Sequence, residues 1–159
     1  MLAYLAGGTM AKKKVKQTEK ERYEIEILDW SVEYSFGVAE PNILLSNGYM
    51  DHSTIEISGN IIQPTLKHSQ ETRIMLYEKI DYDMKREELE EGTPIDIGLI
   101  EIERKTNIVH MTCWISSRKI TQILLGFSAQ KINHISIFGT KIKNRKGNIY
   151  SVELSTIYY

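Results

Sequence analysis

Apolar residues alternate with polar ones along most of this chain, and a period of two leaves little choice but β-structure. From Arg22 to Val38, Tyr23, Ile25 and Ile27 share one parity, while Trp30, Val32, Tyr34 and Phe36 share the other. Successive side chains of a strand point to opposite faces, so each set reads as the buried face of a strand. The parity changes near Leu28-Asp29. One extra residue there, a β-bulge, puts both sets on the same face of a long bent strand; two consecutive strands explain it as well.

Further strands follow in the same manner. Asn47-Gly48 suits a type I′ turn and predicts a hairpin that returns through Ile55 and Ile57. Gly59-Asn60 marks a turn or bulge, and Pro64, which has no N–H for a ladder, ends that strand or places it on an edge. Thr72 to Ile80 reads as a strand, and the acidic stretch Asp81 to Gly92 as a loop or short exposed helix. Thr93-Pro94 opens a strand through Arg104, with a bulge suggested at Gly98. Asn107 to Ile115 is apolar on both parities and reads as a central strand. Residues 117–126 form the one helical pattern: Ser116 or Ser117 as cap, then Ile120, Ile123, Leu124 and Phe127 at helical spacing, with Gly126 as terminator. Lys131 to Lys143 is a strand. Asn144-Arg145-Lys146-Gly147 fits a type I turn with Gly147 in a left-handed bulge, and Tyr150, Val152, Leu154, Thr156 and Tyr158 share one face of the last strand. The expectation is a mainly β, single-domain antiparallel β-sandwich or open barrel of about eight strands. One short amphipathic helix precedes its C-terminal hairpin.

Residues 1–20 are set apart as a disordered basic leader carrying Lys12, Lys13, Lys14 and Lys16, and residues 21–159 as the β-rich domain. Met10 followed by Ala11 and lysines reads as an alternative start, which would make residues 1–9 a non-native leader. A basic cluster after an apolar stretch is the reverse of a signal peptide. No apolar run approaches the ~18 residues of a membrane span. Cys113, the single cysteine, cannot form an internal disulfide, which points to a reducing, cytoplasmic setting.

Chemistry-bearing motifs are sparse. No phosphate-binding glycine loop appears. Gly126-Phe127-Ser128-Ala129-Gln130 lacks the second glycine of a nucleophile elbow. Cys113 follows His110 by three residues, which on a strand sends the two side chains to opposite faces; a buried structural thiol is the better account. The histidines His52, His68, His110 and His134 are isolated, so neither a metal site nor a cofactor is predicted.

Charge is the remaining clue. The net charge is −1, but its distribution is uneven. Tyr23 to Glu103 holds 18 acidic and 5 basic residues. Arg104 to Val152 holds no acid and nine bases. Three readings compete: opposite charges pair across strands; Arg118, Lys119, Lys141, Lys143, Arg145 and Lys146 form a basic helix-hairpin surface for a nucleic acid or acidic protein; or complementary faces of two subunits join in a homo-oligomer. The second predicts a non-catalytic binding module. The main alternative is a small enzyme with a site of strand-borne His, Asp and Glu residues, signalled by a pocket where His52, His110 or His134 converges with carboxylates.

Overall fold

The computed structural model describes residues 18–38, 49–67, 69–79 and 96–156. In chain order they form β1 (Lys20–Val38), β2 (Tyr49–Gln63), β3 (Glu71–Lys79), β4 (Gly98–Ile102), β5 (Val109–Ser116), α1 (Ser117–Ser128), β6 (His134–Thr140) and β7 (Lys146–Ser155). The strands close into a barrel in the order β1-β2-β3-β5-β4-β7-β6, with β6 returning to β1. The fold is mainly β, as the alternation requires. The finer expectation changes in three ways. The barrel is closed rather than open or split into a sandwich, it has seven strands among the described residues, and β3 runs parallel to β5. The Asn47-Gly48 turn, the 81–92 segment and residues 93–95 lie outside the described residues, as do residues 1–17.

Closure depends on the long first strand. β1 pairs with β6 along Lys20 to Glu26 and with β2 along Glu24 to Val38, so one strand joins both neighbours. Its register slips between Ile27 and Asp29. Leu28 is the extra residue and is 62% exposed, while Ile27, Trp30 and Val32 all pack on the core. This is the single bent strand, not the pair of strands. Gly59 lies opposite the bulge within β2, so Gly59-Asn60 is not a turn. β2 ends at Gln63, immediately before Pro64.

The interior is filled by β-branched side chains, whose restricted rotamers suit a pleated surface. Ile25, Ile55, Ile57, Ile74, Ile135 and Ile137 are fully buried. The β1–β2 register also shifts between Glu24 and Ile25, and β7 carries a bulge of its own: Phe138 pairs with Ser151 but Gly139 with Ile149. Tyr150 is therefore the extra residue. It turns outward beside Phe138 and beneath Lys20 instead of sharing a face with Val152 and Leu154, and Ile149 takes the core position. At Gly98 the pairing with β5 runs unshifted, so no bulge forms there.

Helix α1 packs over one end of the barrel. Phe127 stacks on Trp30 with ring centroids 4.8 Å apart, and Ile120 is buried beside it. Ser116 is the N-cap, without a side-chain cap bond. The helix continues through Gly126 to Ser128. Gln130 takes the left-handed conformation (φ 54°), and Lys131 N–H bonds the Gly126 carbonyl, which closes the end. Gly126 lies instead against the Ile132 side chain, whose Cδ1 a Cβ there would displace.

Candidate functional site

The opposite end of the barrel is open, and the β6–β7 hairpin forms part of its rim. Asn144 and Arg145 both have positive φ (52° and 66°), and Lys143 and Lys146 exchange two backbone hydrogen bonds of 2.9 and 3.0 Å. That is a two-residue type I′ connection, whose twist matches the flanking strands. The expected type I turn with a left-handed Gly147 is corrected accordingly. Gly147 lies instead against the Thr140 carbonyl.

Arg145 folds back from the turn. Its Nη2 donates to the Glu103 carbonyl (3.1 Å) and to Asn107 Oδ1, and its Nε to the Ile102 carbonyl (3.3 Å). It ties the hairpin to the β4–β5 connection. Lys141 and Lys143 reach Glu19 at 3.1 and 3.7 Å, and Lys146 reaches its cross-strand neighbour Glu101 at 3.0 Å. The hydrogen bond and charge of Lys141, helped by Lys143, hold the Glu19 carboxyl below its ordinary range. Glu19 in turn raises Lys141.

Two hollows adjoin here. The larger, about 590 Å³, occupies the barrel mouth between Glu21, Tyr23, the Pro64–Lys67 connection, Ile102 and the hairpin residues Lys141, Ile142, Asn144 and Arg145. Tyr23 forms its floor. The phenol O–H donates to the Thr140 carbonyl (3.0 Å) and accepts from Ile142 N–H (3.1 Å). Burial pushes the phenol up to about 12. The smaller hollow, about 340 Å³, contains Glu101, Glu103, Arg104, His110, Arg145 and Lys146.

The six cations singled out in the sequence are not brought together. Lys141, Lys143, Arg145 and Lys146 share the hairpin end. Arg118 and Lys119 begin α1, just beyond Ser116 at the far end of β5. β5 begins at Val109 beside Ile102, at the hairpin end. Along an eight-residue strand the separation is roughly 20 Å. The structure adds Lys67 and Arg104 to the hairpin end. Lys67 gave no signal in the sequence because it is an isolated base in the acidic part.

The histidines also separate. His110 lies 3.7 Å from Glu103 in the smaller hollow. His134 is buried on the outer face of the wall, with Nε2 3.2 Å from Glu24 and Nδ1 3.5 Å from Ser155 Oγ. Arg22, Ser136 and Glu153 complete that outer-face network. The side chain of His52 lies outside the described residues. Cys113 is buried, and burial pushes its thiol up to about 12, far from a reactive thiolate. Among the described residues, no group of three or more His, Cys, Asp or Glu side chains is placed to hold a metal ion. No described helix is long and apolar enough to cross a membrane. No protein-family model, curated protein or solved structure matches this chain.

Proposed function

We propose that this chain is a non-catalytic binding module whose open barrel end receives an anionic partner. One observation carries the reading. The two adjoining hollows are lined by five permanently cationic side chains (Lys67, Arg104, Lys141, Arg145 and Lys146) and three carboxylates (Glu21, Glu101 and Glu103). A surplus of positive charge set in a concave, partly apolar mouth strengthens attraction for an incoming anion. His110 shares the smaller hollow with Glu101 and Glu103, the convergence that the small-enzyme alternative calls for, so the binding reading rests on the surplus of cations across the two hollows and not on the histidines.

Arg118 and Lys119 belong to the other end of the barrel and leave the proposed surface. Arg145 stays, but as a structural anchor. The test is retention on heparin at about 50 mM salt, where contacts to anionic groups are strongest. The parent should be retained. Lys67→Ala, Arg104→Ala, Lys141→Ala and Lys146→Ala combined should elute much earlier with an unchanged circular-dichroism spectrum. Arg118→Ala with Lys119→Ala should elute with the parent. Flow-through of the parent at that salt defeats the reading.

A further inference from the structure

We propose that the hollow in the barrel mouth binds a small amphiphilic monoanion, its acidic head between Lys67 and Lys141 and its apolar body against Tyr23, Leu66, Ile102 and Ile142. This rests on the anion-binding reading and narrows it to a ligand class.

The two ends of the barrel are treated differently. Helix α1 packs over one with Ile120 and Phe127 and leaves a hollow of about 380 Å³ beside Lys119, while the other is a larger concavity of about 590 Å³, within the usual range for small-molecule sites. Below the hollow the interior is filled with isoleucine, so a ligand rests in the mouth without entering the barrel. The walls are apolar where Leu66 and Ile142 remain partly exposed. An ion that met only the lysines would leave this apolar surface in water, whereas a ligand with a hydrocarbon body removes it.

The head is placed by charge. Lys67 has no ion-pair partner among the described residues, whereas Lys141 already shares Glu19 with Lys143. Arg145 spends its guanidinium on the Ile102 and Glu103 carbonyls and on Asn107. One uncommitted cation with one shared cation suits a single negative charge. Glu21 and Glu19 sit beside the mouth and favour a head of one negative charge over one of two. The chemistry described is that of a medium-chain carboxylate.

Calorimetric titration with decanoate, below the concentration at which it forms micelles, tests this directly. Decanol supplies the tail without the charge, and acetate the charge without the tail. Decanoate should bind at least tenfold tighter than either. Shortening its chain should weaken binding by up to about fourfold per methylene, the increment for removing one CH₂ from water. Lys67→Ala should cost decanoate roughly tenfold or more, since the lost contact is charge-assisted, and should leave decanol unchanged. Lys67 lies on an exposed connection, and thermal melting of the variant confirms that it folds. Equal binding of decanoate and decanol, or of decanoate and acetate, overturns the proposal. Retention on heparin without any decanoate binding overturns it too, while leaving the broader anion-binding reading intact. Failure of both probes removes both.

Discussion

Replacing Tyr23 with Phe tests whether the barrel mouth is held by the hydrogen bonds described. Tyr23 is 1% exposed, and its hydroxyl joins the Thr140 carbonyl to the Ile142 N–H where β6 leaves the barrel. Phe keeps the ring and removes both bonds. A typical net hydrogen bond contributes about 0.5–1.5 kcal/mol, and a buried group left without a partner costs more. Ile142 borders the open mouth, where water can reach its N–H, so the loss should come to about 1–3 kcal/mol. In urea the midpoint should fall at unchanged slope, and melting should drop by roughly 3–10 °C. The phenol also gives the experiment a second axis. Burial raises its pKa from 10.0 to about 12. The folded state therefore retains a proton that the unfolded chain releases first. Stability from this group is complete below pH 10 and is lost as pH rises towards 12, at about 1.4 kcal/mol for each pH unit climbed. Tyr23→Phe lacks this titration, so the gap between parent and variant should narrow across that window. Cys113, raised from 9.0 to about 12, adds its own alkaline loss to both proteins and cancels in the comparison. A variant within ~0.5 kcal/mol of the parent at neutral pH, or a gap that stays constant from pH 9 to 12, refutes the reasoning.

Other perturbations separate packing from charge. Phe127→Ala removes the ring stacked on Trp30 and should cost about 3–5 kcal/mol, with a change in tryptophan emission as the barrel end opens. Gly98→Ala places a methyl group against the Thr112 carbonyl on the paired strand, so urea unfolding should show a loss above ~2 kcal/mol. Two neighbours on the hairpin should behave oppositely in the same assay. Arg145→Ala removes its charge-assisted bonds to the Ile102 and Glu103 carbonyls and to Asn107 and should cost about 1–3 kcal/mol, whereas Lys146→Ala breaks only an exposed pair with Glu101 and should cost less than about 1 kcal/mol.

Much of the fold was legible because one residue's parity shows in a strand. The Tyr23-Ile25-Ile27 and Trp30-Val32 sets called for either a bulge or a break into two strands between them, and Leu28 supplies the bulge. Closure was not legible, because it depends on β1 pairing with β6 more than a hundred residues later, and alternation says which face is buried but not which strand is adjacent. The parallel β3–β5 pair is hidden for the same reason. Turn type was misjudged at Asn144-Arg145-Lys146-Gly147, where the glycine drew attention from Asn144 and Arg145. An arginine is an unusual occupant of a left-handed position, and here its side chain is tied to the β4–β5 connection. Gly126 misled similarly, since its small size serves contact with Ile132 and not helix termination.

Once the strands are placed, the uneven charge distribution has two consequences. Some of it is absorbed across neighbouring strands: Lys146 of β7 faces Glu101 of β4 in register, and His134 of β6 meets Glu24 of β1. These contacts support the cross-strand reading, and exposed pairs of this kind choose neighbours more than they stabilise them. What is left is sorted by topology. The β4–β5 connection and the β6–β7 hairpin lie at the same barrel end, so Arg104, Lys105, Lys141, Lys143, Arg145 and Lys146 gather there, while Arg118, Lys119 and Lys131 flank α1 at the other. A stretch continuous in sequence thus yields two separate basic regions. The hairpin end combines its cations with a concavity of about 590 Å³ and with Lys67 from the acidic part of the chain, while Lys119 at the α1 end borders a smaller apolar hollow of about 380 Å³ with Ile115, Ile123 and Ile132. Charge alone would give both regions equal standing as anion sites. The larger mouth and the uncommitted Lys67 favour the hairpin end, and the tail-length series, more than any charge substitution, discriminates between a bound ligand and a solvated basic surface.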